Sequence, residues 1–359
     1  MGRFIKVYIG KKKICNNGKP YFIADIAANH DGNLQRAYKL IELAKESGAD
    51  AAKFQNFKAE KIVSRNGFNT MKQMSHQAGW KKTVYEVYED ASLQDSWTPL
   101  LKEKCDEIGI EYMTSPYDFQ SVDWASQYVN AYKIGSGDIT WTRMLEYIAQ
   151  KGKPVIIATG ASDIEDVKRA MGIIKKYTDD IVLMQCNTNY TADRKNFLSV
   201  NLNVLKLYSE LYPGCVLGLS DHTYGHVTVL GAMALGARVF EKHFTDDNGR
   251  EGPDHKFAMN PGTWKEMVKA AYELYDALGD GIKKIEDNEK DSVVVQQRAV
   301  YMTRDLKAGS YISEEDIFPL RPLKEGCVYP YDMDKVIGMR LKCDIYTDEC
   351  LKWEMLEVD

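Results

Sequence analysis

The sequence predicts an α/β chain: a (β/α)8 barrel of the TIM type followed by a small β-rich domain. Three features point there. An apolar strand-like run and an amphipathic helix-like run alternate eight times. These eight units occupy about 260 residues, the usual size of a closed barrel. Polar and charged residues collect at the ends of the strand-like runs, the edge on which a barrel carries its chemistry. An open doubly wound sheet is the alternative for such alternation, and the count of eight favours the ring.

At the start, Asn17-Gly18 separates extended stretches at 4–9 and 20–27, which predicts a hairpin with the lysine run Lys11–Lys13 on a solvated edge. Strands are expected at 21–27, 51–57, 111–116, 131–136, 154–160, 181–188, 216–222 and 238–243. The first helix follows Asn33 as N-cap, aligns Leu34, Ala37, Ile41 and Ala44 on one face, and stops at Gly48. The last, 263–278, aligns Trp264, Met267, Ala271, Leu274 and Leu278. Between the second and third strands, 58–95 is long for a connection and lies on the catalytic side; it reads as a lid or as a surface insertion. The barrel, with its hairpin, is expected over 1–279, a charged linker over 280–292, and the small domain over 293–359, with strand-like pieces at 298–303 and 351–353.

Composition narrows the function. A chain of 359 residues with 44% apolar and 28% charged residues builds sizeable cores. Its formal net charge of −5 provides no global basic field for nucleic acid or an anionic membrane. No apolar run approaches the roughly 20 residues of a membrane span. The opening residues lack the apolar core of a signal peptide, and Lys6 stands where a myristoylation signal has Ser or Thr. Seven scattered cysteines without a Cys-x-x-Cys predict reduced thiols and a cytoplasmic location.

The strand ends carry Asp25 with Asn29-His30, Lys53 with Gln55, Thr114-Ser115, Lys133 with Ser136 and Asp138, Thr159, Asn187 to Asn189, Ser220 with Asp221-His222, and Glu241 with His243. His222 and His243 end neighbouring strands. They read either as ligands of a divalent metal, leaving positions for substrate and water, or as hydrogen-bonded structural histidines. Lys53 and Lys133 sit inside apolar strands, where an ammonium needs an anionic partner. With Ser115, Ser136 and Ser220 nearby they suit a carboxylate or phosphate ligand; a Schiff-base lysine and lysines held by structural carboxylates are the competing readings. His76 reads as solvent-facing, His226 as a helix start, and His255 as a substrate contact or a loop cap.

In order along the chain stand Phe22-Ile-Ala-Asp-Ile-Ala-Ala-Asn-His-Asp-Gly32, Gly48-Ala-Asp-Ala-Ala-Lys-Phe-Gln55 and Tyr132-Lys-Ile-Gly-Ser-Gly-Asp138. Gly218-Leu-Ser-Asp-His-Thr223, Glu241-Lys-His-Phe-Thr-Asp246, Gly252-Pro-Asp254 and Met259-Asn-Pro261 follow. This series resembles the sialic acid (nonulosonic acid) synthase family over nearly the whole chain. The tail, with Asp305-Leu-Lys-Ala-Gly309, Leu320-Arg-Pro322 and Val336-Ile-Gly338, resembles the family's antifreeze-like (SAF) domain.

The resemblance implies condensation of phosphoenolpyruvate with an N-acylated hexosamine aldehyde and water, phosphate leaving by C–O cleavage. It implies Mn2+ or Mg2+ on His222 and His243. Phosphoenolpyruvate would lie on Lys53, Gln55, Lys133, Ser136 and Ser220, with Ser115 and Tyr190 beside it. Asp138 and Asp254 would meet sugar hydroxyls, Asp25 and Glu241 would serve the reacting centre, and Arg321 would reach the N-acyl group from the other subunit of a domain-swapped homodimer. Where the family has Glu this chain has Asp25; Gly-Ser-Gly-Glu becomes Gly-Ser-Gly-Asp138; and the proline after Tyr190 is Thr191. Asp138 falls at a sugar-contacting position, and the departures together predict a substrate other than N-acetylmannosamine. Two alternatives stand beside this reading: a phosphoenolpyruvate-condensing synthase that takes a sugar phosphate, and a non-catalytic carbohydrate-binding barrel.

Overall fold

In the computed structural model, which describes residues 5–71, 80–191 and 193–357, the chain divides into two compact units, Met1–Gly279 and Asp280–Asp359. The first opens with an antiparallel hairpin, β1 (Lys6–Ile9) and β2 (Lys12–Cys15). Its turn is at Gly10, in the left-handed region at φ 56°. The hairpin expected around Asn17-Gly18 is therefore displaced, and the Asn17-Gly18 turn only leads out of β2, with Gly18 N–H donating to the Cys15 carbonyl. The lysine run does lie on the exposed side.

Eight parallel strands form the ring: β3 (Tyr21–Asp25), β4 (Ala51–Asn56), β5 (Glu111–Pro116), β6 (Tyr132–Ile134), β7 (Val155–Ala158), β8 (Ile181–Cys186), β9 (Val216–Asp221) and β10 (Val239–His243). The ladders run β5-β4-β3-β10-β9-β8-β7-β6. β5 packs against β6 to close the ring, without a ladder between them. The predicted (β/α)8 architecture is the one found, and each strand lies within its expected range.

Alternate residues of a barrel strand point inward and outward. Phe22, Ala24, Ala52, Phe54, Tyr112, Tyr132, Val155, Ile157, Leu183, Leu217, Leu219 and Phe240 face the helices in the main core. Tyr21, Ile23, Ala51, Met113, Ala131, Ile156, Val182, Met184, Val216 and Val239 fill the interior, and Val7, Ile9 and Ile14 of the hairpin plug its N-terminal end. The interior is thus apolar at the bottom, and the inward polar residues, Lys53, Lys133 and Glu241 among them, lie above that layer.

Among the described residues of the long β4–β5 connection are the helices Ala59–Ile62, Arg65–Thr70 and Val84–Ala91. The last is fixed by a capping box between Thr83 and Glu86. His76 lies outside the described residues. His226 does precede a helix, Val227–Ala234.

In the second unit a helix, Lys290–Gln296, straddles the boundary expected between the charged linker and the small domain. β11 (Ala299–Met302) and β12 (Ile317–Leu320) pair antiparallel over a core of Val300, Ile312, Ile317, Val328, Val336, Leu341, Ile345, Leu351 and Leu356. Residues 351–353 do not form a strand; Lys352 makes one isolated bridge to Cys327. Cys327 and Cys350, with Cα atoms 6.0 Å apart, are joined by a disulfide, which corrects the expectation of seven reduced thiols. Their 23-residue separation gave no spacing signal; the irregular folding of the unit is what brings them together. Among the described residues no helix is long and apolar enough to cross a membrane.

Candidate active site

The inward residues at the C-terminal strand ends converge on one cavity of about 380 Å³. The strand register sets the neighbours: Asp25 is paired with Lys53 on one side and His243 on the other, Gln55 with Ser115, and Glu241 with Ser220. Lys53 Nζ donates to Asp25 Oδ2 at 2.6 Å and lies 3.8 Å from Glu241 Oε2. Lys133 Nζ is 3.2 Å from Glu241 Oε1, to which the Ser220 hydroxyl also donates at 3.0 Å. Asp25 further accepts from Ala27 N–H at 3.1 Å and, at 3.4 Å, from Gln55 Nε2. Ser136 Oγ accepts from Gly160 N–H. Ser115 Oγ and Glu241 Oε2 are buried without a hydrogen bond from the described residues.

Two ammonium groups and two carboxylates thus share one buried floor, each 4% exposed or less. Burial opposes ionisation of Glu241, but Lys133, Lys53 and two hydrogen bonds outweigh it and hold its carboxyl down at about 2. Burial lifts Asp25 above the ordinary carboxylate range; Lys53 pulls it back and the Glu241 charge pushes it further up. Burial works against the Lys53 ammonium, yet Asp25 and Glu241 keep its pKa above the ordinary value. Burial takes Asp138 up to about 6, with Lys133 opposing.

His222 and His243 stand side by side, ring centroids 5.4 Å apart, with Tyr190 4.3 Å from the first ring. His222 Nδ1 is 2.8 Å from the Asn187 carbonyl oxygen, which only accepts, so Nδ1 carries the proton and Nε2 presents a lone pair. Burial, then the neighbouring His243, lowers His222 to about 4, and burial lowers His243 as well. His243 lies 3.7 Å from Asp25 through Nε2 and 3.7 Å from Asp254 through Nδ1, and that Nδ1 is buried without a hydrogen bond. Among the described residues no group of three or more His, Cys, Asp or Glu is arranged to hold a metal. Two neutral imidazoles, one with a fixed tautomer and the other with an orphaned nitrogen, nevertheless fit a divalent cation that takes its remaining ligands from substrate and water.

Asp25, Lys53, Gln55, Ser115, Lys133, Ser136, Asp138, Tyr190, Ser220, His222, Glu241, His243 and Asp254 all line this cavity. Arg321 belongs to the second unit, exposed just beyond β12. Other strand-end residues turn out to be structural. Thr114 bonds Asn56, Thr159 bonds the Met184 carbonyl, and Asn29 bonds the Phe244 carbonyl. His30 packs edge-on to Trp97. His255 is fully buried between Asp31 (2.9 Å) and Thr245 (2.7 Å), so it ties down the loop that carries Asp254. Asp221 faces away from the cavity and pairs with Lys242.

The sequence reading passed over Phe57, Tyr88, Tyr117 and Cys186, which also line the cavity. Parity was the available signal for three of them. Phe57 is two residues past Gln55, Tyr117 two past Ser115, and Cys186 two past the inward Met184.

The chain is similar to known proteins. The NeuB family model matches residues 40–283, and a SAF domain model matches 297–357. The chain belongs to the NeuB family. Among NeuB relatives, the N,N'-diacetyllegionaminic acid synthase of Legionella pneumophila is 35% identical over 97% of this chain and 100% of its own. The pseudaminic acid synthase of Campylobacter jejuni is 31% identical over 93% of this chain and 96% of its own. The crystal structure of an N-acetylneuraminic acid synthetase from Leptospira borgpetersenii superposes with a TM-score of 0.71, 26% identity, and coverage of 81% of this chain and 96% of that one.

Proposed function

We propose that this NeuB-family chain is a nonulosonic acid synthase. It joins C3 of phosphoenolpyruvate to the aldehyde carbon of an N-acylated hexosamine and adds water at C2. Phosphate then leaves by C–O cleavage to give a 2-keto sugar acid. The observation that carries this reading is the cavity floor: Lys53 and Lys133, each held against a carboxylate, facing two neutral imidazoles across one enclosure.

Lys53 and Lys133 hold the anion of phosphoenolpyruvate, with the hydroxyls of Ser115, Ser136 and Ser220 and the amide of Gln55 as donors. His222 and His243 would hold a Mn2+ or Mg2+ ion, which would supply Lewis-acid polarisation of the aldehyde. As the new C–C bond forms, positive charge develops at C2, and Asp25 and Glu241 supply the negative groups that favour it. Asp25, with its raised pKa, is suited to take the proton of the water that adds there. Asp138 and Asp254 receive sugar hydroxyls. Arg321 reaches the N-acyl group from the partner of a swapped homodimer.

Phosphoenolpyruvate labelled with 18O in its C–O–P bridge tests the proposal. In the presence of Mn2+ and N-acylated hexosamines, the label is expected in the released phosphate together with a 2-keto acid product. Release that depends instead on arabinose 5-phosphate or erythrose 4-phosphate, or no release with any amino sugar, overturns it.

A further inference from the structure

The Asp254 carboxylate has little to hold it in place. Among the described residues its hydrogen bond comes from Ala28 N–H at 3.4 Å, and His243 Nδ1 lies 3.7 Å away. Its position is therefore set through the backbone. The next residue, His255, is the opposite case, a fully buried ring engaged at both nitrogens. Its Nδ1 is 2.7 Å from Thr245 Oγ1 and its Nε2 is 2.9 Å from Asp31 Oδ1. A carboxylate only accepts, so Nε2 carries the proton of that bond. The backbone closes over the ring at Gly252, where a Cβ would stand 2.7 Å from His255 Cδ2. The remaining fastenings of the loop close it on itself: the Asn248 amide donates to the carbonyls of His255 and Ala258, and the Asn260 amide donates to Asn248.

Asp31 is where this loop meets the other side of the barrel mouth. It stands six residues past Asp25, in the turn after β3, and in the left-handed region at φ 51°, which few residues other than glycine adopt. Besides His255 it takes Arg250 through Nε at 2.8 Å and Nη2 at 2.7 Å. Arg36 of the helix Leu34–Glu46 lies 3.1 Å away through its Nε, and also bonds Asp246 and the Asn29 carbonyl. Burial works against the Asp31 charge, yet the bonds from His255 and Arg250 hold its carboxyl below the ordinary range. The side chain is outside the catalytic cavity and lines the adjoining groove. A carboxylate outside the cavity thus locks the turn that follows Asp25 to the loop that carries Asp254.

We infer that Asp31 is a positioning residue for the sugar: through the buried His255 ring it sets where the Asp254 carboxylate stands. This deepens the proposed function and rests on the sugar contact assigned there to Asp254. A hydrogen bond to a charged group, once lost, costs about tenfold to a hundredfold in affinity.

Steady-state kinetics make the test, with Mn2+, phosphoenolpyruvate and the N-acylated hexosamine that wild type turns over fastest, starting from N-acetylmannosamine and 2,4-diacetamido-2,4,6-trideoxymannose. Asp31→Gly suits the left-handed backbone and removes the carboxylate. It should raise the sugar KM by about tenfold and leave the phosphoenolpyruvate KM within about twofold of wild type. His255→Asn cuts the same link from its other end and should raise the sugar KM by a similar factor, so either folded variant decides the matter. In an Asp254→Ala background, adding Asp31→Gly should change the sugar KM by less than about twofold, because the group being positioned is gone. An unmoved sugar KM, an equal rise in both KM values, or effects of Asp31→Gly and Asp254→Ala that multiply in the double variant overturns the positioning role while leaving the synthase reading standing. Absence of phosphate release by wild type with every N-acylated hexosamine overturns both.

Discussion

Asp25 Oδ2 and Lys53 Nζ lie 2.6 Å apart on adjacent strands, side chains 3% and 2% exposed, so the lysine proposed to grip phosphoenolpyruvate is already held by the carboxylate proposed to act beside it. With Glu241 against Lys133, the floor is charge-balanced before substrate enters. An incoming trianion therefore competes with carboxylates for the same ammonium groups and pushes the two signs apart. That arrangement gives each buried lysine a carboxylate partner before substrate enters, at the cost of some affinity for the anion.

Lys53→Met should lower phosphate release by about a hundredfold to a thousandfold and cost about 3–5 kcal/mol of stability, because Asp25 is left buried beside Glu241 without its partner. Adding Asp25→Asn should restore most of the stability and none of the activity. Denaturant melts and phosphate assays on the three variants check this; a single variant as stable as wild type would show that the pair bears no strain of desolvation.

Asp138 gives the pH dependence its sign. Burial raises its folded pKa to about 6, above the ordinary carboxylate value, so its contribution to stability is full below about 4 and is lost as pH rises through about 6. Sugar binding runs the opposite way, since the ionised carboxylate is the better acceptor for hydroxyls. The KM for the sugar should fall between pH 5 and 7 in wild type, and Asp138→Asn should flatten that step. Titrating KM in both proteins is the measurement.

Arg321 tests the swapped dimer. Arg321→Ala and Lys53→Ala homodimers should each be inactive. Mixed by unfolding and refolding, half of the dimers are hybrids, and each hybrid holds one site with both residues intact. Recovery of about a quarter of wild-type turnover is expected if Arg321 acts across the dimer, and none if it serves its own barrel.

The barrel was legible because each strand has its own apolar run and each helix its own period. The floor was legible because charge inside an apolar strand is costly and so conspicuous, as at Lys53 and Lys133. What escaped was whatever depends on side-chain direction or on three-dimensional closure. Thr114 and Ser115 look alike in sequence, yet only Ser115 faces the cavity; Thr114 points outward to Asn56. Tyr88 is one tyrosine among 22, and nothing local distinguishes it from packing. The hairpin was misplaced because Asn17-Gly18 is a stronger turn signal than Gly10-Lys11, although the shorter loop suits the plug that seals the barrel.

The same parity produces the last prediction. Asp221 and Lys242 precede His222 and His243 by one residue each, so when the imidazoles face in, these two face out. There they form an ion pair, side chains 3% and 2% exposed. Asp221 also accepts from Thr228 at 2.7 Å, and Lys242 donates to the Thr223 carbonyl at 2.6 Å. The pair cross-links the ends of β9 and β10 immediately before the two imidazoles and so fixes their separation. Lys242→Met removes no group from the cavity, yet it should weaken Mn2+ binding by about tenfold to a hundredfold, the usual cost of losing an outer-shell support. It should also destabilise the fold by about 3–5 kcal/mol. The double variant Lys242→Met with Asp221→Leu should regain stability, since no charge is left unpaired, and still bind the ion weakly because the cross-link is gone. Titration of Mn2+ followed by electron paramagnetic resonance separates the two effects, and wild-type affinity in Lys242→Met would mean that the strand ends hold the imidazoles without this pair.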